Sequence, residues 1–316
     1  MQAVIYERFG DASVLRVDEV ATPAAGPGEV QVRVHVASLN PVDFKLRGGL
    51  LKLLGRPRRP AITGKDFAGT ISALGPGVSD FSVGQRVFGS VDPMNGAGSC
   101  TEFVALSSDL VAATPEAVPD EVAACLPVAA GTALQALTDI AGLRDGQRVL
   151  IIGASGAVGA AGVQIARSLG ARVSGVCGTA NVEYVRGLGA DPVIDYRAED
   201  WRRRDARYDI VFDAAAMSSF AEARRHLAPR GWYINTMPRA AVIASAFVAP
   251  LLYRQRCVPF MLKTDAALLG RLAALAAQRV LVPHIAEVIG LDQVAAAQAR
   301  MEAGRVHGKI CARVAR

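Results

Sequence analysis

Residues 148–159 read Arg148-Val149-Leu150-Ile151-Ile152-Gly153-Ala154-Ser155-Gly156-Ala157-Val158-Gly159. The apolar run Val149 to Ile152 predicts a buried strand, and the glycine turn after it opens onto a helical pattern over 158–169. Strand, turn and helix in that order predict a dinucleotide-binding unit. Gly156 lets the backbone approach a pyrophosphate, and Gly159 permits close packing of helix on strand. The helix N-terminus offers free N–H groups at the positive end of its dipole. Gly153, Ala154, Ser155, Ala157 and Val158 complete the expected cradle, with Ala154 where the usual fingerprint has its first glycine. A tight turn without a ligand is the competing reading; the flanking units argue against it.

Downstream, apolar strands at 172–176, 192–194, 209–213 and 232–236 are separated mostly by helix-length spacers, and a run at 257–262 completes the series at an edge. That βαβ alternation predicts an α/β fold with a doubly wound parallel sheet. Upstream, a helical stretch over 121–141 leads into it. The first third is β-rich: Val30-Gln31-Val32-Arg33-Val34-His35-Val36 alternates with period two, and 70–74, 86–88 and 102–106 add strands for a partly open antiparallel barrel. After residue 265 come a helix (266–278), a strand (286–289), a helix (291–303) and a last strand (309–314) that returns to the barrel. The expected division is a β-rich domain over 1–120 and 266–316 and a dinucleotide-binding domain over 121–265.

Composition narrows the function classes. With 316 residues, 51% hydrophobic and 20% charged, the chain has material for about two domains and too little charge for disorder. Glu7 and Arg8 enter early, unlike a secretory signal, so a cytoplasmic protein is the expectation. The longest nearly apolar stretch, 240–253, is too short to cross a bilayer and reads as a buried or subunit-contact segment. Net charge is +6, but the densest basic runs, Arg56-Pro57-Arg58-Arg59 and Trp201-Arg202-Arg203-Arg204, lack the interleaved aromatics of a nucleic-acid platform and read as solvated faces. Cys100, Cys125, Cys177, Cys257 and Cys311 contain no CxxC pair and fit reduced, mostly buried thiols.

Which dinucleotide binds depends on the end of the second strand, where NAD sites carry a carboxylate for the ribose 2′-hydroxyl. Gly178 and Thr179 stand there instead. A 2′-phosphate then meets no repulsion, Thr179 can donate to it, and Tyr196 and Arg197 at the next corner are further partners; NADPH is the expected cofactor. Other chemistries fit poorly. Gly304 to Lys309 is one residue short of a P-loop, no Tyr is followed four residues later by Lys, and no GxSxG elbow occurs.

Specific stretches carry a resemblance. Ser38-Leu39-Asn40-Pro41-Val42-Asp43-Phe44-Lys45 is similar to the NPxD segment of zinc-independent quinone oxidoreductases and enone reductases, and Gly64-Lys65-Asp66-Phe67-Ala68-Gly69 to their GxDxxG turn. Phe81 to Gly89 and Gly308-Lys309-Ile310 match other recurring stretches. In these and in domain order the chain resembles the medium-chain dehydrogenase/reductase superfamily, which implies a GroES-like barrel domain beside a Rossmann-type domain. Zinc-dependent members place a Cys before the family's Asp, a His-Glu pair at what is here Lys65-Asp66, and a third ligand at what is here Val128. These positions leave Asp66 alone among eligible ligand types, so no catalytic zinc is expected.

Without a Lewis acid the expected reaction is reduction of a quinone or an α,β-unsaturated carbonyl, whose developing charge spreads over a hydroquinone or enolate. The resemblance implies that Asn40 and Asp43 line the nicotinamide end, that Thr132 sits beside the cofactor, and that Phe260, Met261 and Leu262 cover the nicotinamide; sheet-edge packing is the other reading of that triplet. Lys45 reads either as a group reaching a substrate oxygen or as a surface lysine, and Lys65 either as a partner of Asp66 or as a substrate contact. His35 reads as a strand residue, and His226, His284 and His307 as surface groups. A homodimer is expected from the resemblance alone. Two alternatives stay open: an NADPH-binding protein that signals or tethers with little turnover, and a zinc alcohol dehydrogenase.

Overall fold

Alternation along Glu29–Ser38 sends Val30, Val32 and Val34 into the core and leaves Gln31, Arg33 and His35 on the other face, as period two requires of a strand with one buried side. The computed structural model describes residues 1–50, 60–92, 96–237 and 239–314. It divides into two units, 1–128 with 264–316, and 129–263.

The first unit begins with β1 (Gln2–Tyr6), β2 (Arg16–Glu19), β3 (Glu29–Ser38), α1 (Pro41–Arg47), β4 (Ala61–Ile62), β5 (Asp66–Leu74), β6 (Arg86–Ser90), β7 (Phe103–Ser107) and β8 (Val111–Ala113). β2, β1 and β4 form a small sheet, while β3, β5, β6 and β8 pair antiparallel in a larger one, with β7 also on β3. Val30, Val32, Val34, Phe67, Ile71 and Val87 fill the space the larger sheet encloses, each worth about 1.5–3 kcal/mol of apolar burial.

The next helix, α2 (Asp120–Ala124), packs on β3, β5 and β6. Asp120 fastens it: one carboxylate oxygen meets the His35 ring at 2.8 Å, and the other accepts from Arg86 Nη2 at 2.6 Å. The His35 ring also meets Thr70 Oγ1 at 3.2 Å, which gives that histidine a structural role. These contacts keep α2 in the first unit, so the division falls after Val128 rather than after residue 120. The expected single helix over 121–141 is broken. α3 (Pro127–Leu134) starts afresh and continues as a π-helical turn, Gln135–Ile140, because Pro127 has no N–H and disfavours a helical residue before it.

The second unit alternates β9 (Arg148–Ile152), α4 (Ala157–Ser168), β10 (Arg172–Cys177), α5 (Val182–Gly187), β11 (Val193–Asp195), β12 (Tyr208–Asp213), α6 (Phe220–Arg224), β13 (Leu227–Asn235), α7 (Ala240–Leu252) and β14 (Arg256–Pro259). All six strands run parallel in the order β11-β10-β9-β12-β13-β14. The chain leaves β9 in one direction and returns on its other side, so the ends of β9 and β12 form the switch point at which ligands bind in such sheets. Gly162 lets α4 lie close on β9 and β12, with Ile151 and Phe212 carbons 3.4 Å from where a Cβ would stand. β14 stops at Pro259, short of the expected 262, because its neighbour β13 ends at Asn235, the residue opposite Pro259.

The segment 240–253 is neither buried nor a span. It is helix α7, with Phe247 76% and Leu251 83% exposed, and no helix among the described residues is long and apolar enough to cross a membrane. Arg202 pairs with Asp200 and Glu222, and Arg204 with Glu199, so this basic run is tied to surface carboxylates. The run at 56–59 lies outside the described residues.

The chain returns to the first unit through α8 (Ala266–Ala277), β15 (Ile285–Gly290), α9 (Val294–Glu302) and β16 (Lys309–Arg313). β16 lies antiparallel to β3, with Cys311 opposite Ser38, but parallel to β15, so the barrel sheet is not purely antiparallel.

The His35 hydrogen bond, aided by Arg86, holds the Asp120 carboxyl below its usual range. Its contribution to stability is therefore complete above the unfolded carboxylate's pKa, near 3.9, and is lost as pH falls through the lower folded value. In urea titrations Asp120→Ala should cost about 1–2 kcal/mol at neutral pH, and the difference from wild type should fade in strong acid.

Candidate functional site

Two groups of residues stand out, one in each unit. In the second unit, β9 is followed by Gly153, whose φ of +78° an L side chain rarely adopts. Gly153 and Ala154 donate to the Val176 carbonyl of β10 at 3.0 and 2.9 Å, which folds the turn over the sheet end. Gly159 is needed for close approach: a Cβ there would lie 2.1 Å from Gly153 O. Ala154 in place of the usual glycine is accommodated by Gly175 on β10, where a Cβ would meet the Ala154 methyl at 3.1 Å.

Gly156 is the N-cap of α4 and supplies no side-chain cap, and Ala160 is the first residue to bond back to it, at 2.8 Å. The N–H groups of Ala157, Val158 and Gly159 thus precede the first intrahelical bond, at the positive end of a twelve-residue helix. At Gly156 a Cβ would have only Gly153 O nearby, at 3.5 Å. The backbone is open where a pyrophosphate would approach, so Gly153, Ala154, Ser155, Gly156, Ala157, Val158 and Gly159 fit a dinucleotide.

On the other side of the switch point Asp213 ends β12 with its carboxylate fully engaged. It accepts from the N–H groups of Met217 and Ser218 and from Ser218 Oγ, Tyr233 Oη and Asn235 Nδ2. This fixes the turn whose Ala215 would stand 2.6 Å from a Cβ on Gly153.

At the end of β10 the structure brings Gly178, Thr179 and Tyr196 together, as the sequence suggests. A Cβ on Gly178 would lie 3.2 Å from Tyr196 Oη. The expectation that a 2′-phosphate meets no carboxylate here is corrected. Asp195 ends β11 in register with Cys177, and its carboxylate accepts from the Thr179 hydroxyl and, at 2.9 Å, from the Arg197 N–H. Those bonds hold it below the usual carboxylate range. Asp195 belongs to the third strand rather than the second; its signal in the sequence is a lone carboxylate closing the run Val193-Ile194-Asp195.

In the first unit Asn40 precedes α1 and is buried with Asp43, whose Oδ2 accepts the Asn40 N–H at 2.7 Å. The Asn40 amide is saturated as a donor: Nδ2 gives one hydrogen to Ser38 O (3.1 Å) and one to Asp66 Oδ2 (3.0 Å). Its Oδ1 accepts from Lys309 Nζ at 2.5 Å, and that ammonium, 3% exposed, also donates to Leu39 O at 2.9 Å. Asp66 Oδ2 takes a further bond from the Val128 N–H at 3.0 Å. Of the two readings of Lys65, direct pairing with Asp66 gives way to this arrangement, and Lys65 acts on both buried carboxylates through its charge. The chemistry of Lys309 was missed; the sign was a lysine opening a strand whose next three residues, Ile310, Cys311 and Ala312, are apolar.

Two carboxylates share this volume with one buried ammonium, Lys309, while the half-buried Lys65 acts on both by its charge. Burial pushes Asp43 up to about 7, and the Asp66 charge adds to the shift while Lys309 opposes it. Burial likewise raises Asp66.

Of the other expected site residues, Lys45 is half-buried on α1 and Thr132 is buried in α3. Beyond β14, Phe260 is buried and donates to Asn235 O, Met261 is exposed and Leu262 is half-buried. His284 and His307 are exposed, whereas His226 is buried with its ring edge-on to Trp201, at 5.3 Å between centroids, because the indole covers it.

Comparison with known proteins gives the family. The alcohol dehydrogenase GroES-like domain pattern matches residues 26–119, and the zinc-binding dehydrogenase pattern matches 188–311. A chloroplast envelope quinone oxidoreductase homolog of Arabidopsis thaliana is 32% identical over 248 residues, 75% of this chain and 75% of that protein. The chain belongs to the medium-chain dehydrogenase/reductase superfamily. A mitochondrial NAD(P)H oxidoreductase of Danio rerio is 34% identical over 235 residues, 68% of this chain and 60% of that one. The solved quinone oxidoreductase of Coxiella burnetii superposes with a TM-score of 0.91 at 28% identity, covering 100% of this chain and 99% of that one. The chain is thus an oxidoreductase of this superfamily, built from a GroES-like domain and a Rossmann-type domain.

One pattern's description implies zinc, and the donor set does not fit it. Asp66 is the one ligand type at the three expected positions, its Oδ2 is held by Asn40 and Val128, and an ammonium shares its surroundings. Among the described residues no three His, Cys, Asp or Glu side chains converge.

For Asp43 the folded pKa lies above the unfolded one, so ionisation opposes folding and stability falls as pH rises from about 4 to about 7. Asp43→Asn, isosteric and still able to accept from Asn40, removes that dependence. Its stability relative to wild type in denaturant titrations should rise across that window and level off above it.

Proposed function

We propose that this oxidoreductase takes hydride from NADPH and delivers it, without zinc, to a quinone or an α,β-unsaturated carbonyl. The observation that carries the proposal is the uncapped N-terminus of α4 behind the Gly153–Gly159 turn, open at Gly156 and set at the switch point of the parallel sheet. Bound there, the nucleotide supplies a hydride-donating ring. The N–H groups of Ala157, Val158 and Gly159 take the pyrophosphate, Tyr196 and Arg197 take the 2′-phosphate, and Thr132, Phe260, Met261 and Leu262 pack beside the nicotinamide.

The acceptor follows from charge. An alkoxide formed in hydride exchange with a simple alcohol needs a Lewis acid or strong donor, whereas an enolate or hydroquinone spreads its own charge. The residues around Asp66 are an amide, a carboxylate and an ammonium held to one another, which supports an acceptor of the second kind. Asn40 has no N–H left to donate, so its part is to position the loop at the start of α1. Asp43 anchors Asn40 from below, and Lys45 is the side chain assigned to the substrate oxygen. The same reading makes the chain a cytosolic homodimer acting on small molecules; five buried free thiols suit that compartment.

A second reading has one observation in its favour. α7 exposes Ile243, Phe247, Val248, Leu251 and Leu252, as suits a protein that binds NADPH but signals or tethers through this helix.

Purified enzyme with NADPH and a panel of quinones and enones should show acceptor-dependent loss of reduced nicotinamide absorbance. Tight NADPH binding with no oxidation by any acceptor would favour the second reading, and no binding would refute both. Within the cradle, Gly156→Ala should keep the wild-type melting temperature within a few degrees yet weaken nucleotide binding at least tenfold, since its Cβ has room in the protein but not against a pyrophosphate. Gly159→Ala should destabilise the fold itself by about 2–4 kcal/mol, read by denaturant titration.

A further inference from the structure

Asp195 stands where the proposed nucleotide's adenosine ribose is distinguished, and the reading that favours NADPH makes no use of it. Three observations locate it. Its residue closes β11 in register with Cys177, so the carboxylate lies at the same edge as the Gly178-Thr179 turn after β10. The Thr179 hydroxyl, the donor expected for a 2′-phosphate, is given to this carboxylate. Gly178 brings the backbone close to Tyr196, the residue after Asp195, leaving the turn, the phenol and the carboxylate as neighbours.

The carboxylate's own partners are the Thr179 hydroxyl and the Arg197 N–H, both donors, with the Arg197 guanidinium as the nearby cation. A carboxylate at the end of the strand beside the glycine-turn strand accepts from a ribose 2′-hydroxyl; Asp195 lies one strand further out, but its register with Cys177 and its bond to Thr179 bring it to the turn that ends that strand. The same group repels a 2′-phosphate, which carries more than one negative charge near neutral pH. Arg197 and Tyr196 pull in the opposite direction. The site therefore holds elements of both specificities.

We infer that Asp195 is a specificity-determining residue that keeps the preference for NADPH narrow, so that the enzyme also accepts NADH. The inference rests on the proposal that the Gly153–Gly159 turn holds a nicotinamide dinucleotide. Asp195 takes no part in hydride transfer; it sets which ribose is held.

The test is direct binding, by calorimetry, of NADPH and NADH to the full chain as wild type and as Asp195→Asn. Asparagine keeps the size, still accepts from Thr179, and removes the charge. Wild type should bind both nucleotides with dissociation constants within about tenfold of each other. Asp195→Asn should shift the ratio toward NADPH by about tenfold, with NADPH binding tightened and NADH binding weakened or unchanged. A structural role alone would weaken both nucleotides equally, and an unchanged ratio overturns the inference while leaving the dinucleotide reading intact. A wild type that binds neither nucleotide overturns that reading, and this inference falls with it.

Discussion

A buried ammonium has to be neutralised where it lies, and in this chain that requirement draws distant segments together. Lys309, from the last strand, reaches the carbonyl of Leu39 and the amide of Asn40, and that amide passes the contact on to Asp66 at the head of β5. Asp66 in turn takes the N–H of Val128 in α3. Four separate parts of the sequence are thus bound through one continuous set of hydrogen bonds. Removing any one member would leave a charge or an amide buried without its partner, a larger loss than the mean worth of a single bond.

The same set bears on the chemistry proposed for the first domain. Where zinc-dependent relatives need two or three soft or anionic ligands, this chain places an ammonium and an amide. Charge balance then falls to the second carboxylate, and Asp43 retains a proton up to about neutrality because burial with Asp66 makes two anions costly. In the other domain the glycine turn and the open N-terminus of α4 present donors with no anion of their own, which suits the pyrophosphate proposed there.

Much of this was legible from local pattern. The period-two alternation of Val30 to Val36, the uninterrupted Val149 to Ile152 and the glycines at 153, 156 and 159 are short-range signals, and each corresponds to an element of the structure. What escaped was set by distance along the chain. Lys309 and Asn40 are 269 residues apart, so nothing near either one announces their bond. Asp195 escaped for a related reason: parallel pairing brings the end of the third strand to the end of the second, and nothing in the second strand's own residues announces it. His226 was expected at the surface because a lone histidine carries no sign of the indole that covers it. The break before Pro127, by contrast, was present in the sequence, since proline both lacks the N–H and constrains the residue before it.

The most direct measurement of the central proposal, that the amide, carboxylate and ammonium around Asp66 leave no catalytic zinc site, is the zinc content of purified protein after dialysis against excess zinc and then metal-free buffer. Far less than one zinc per chain, with reductase turnover intact, is the expected result. Stoichiometric zinc whose removal abolishes turnover would contradict it.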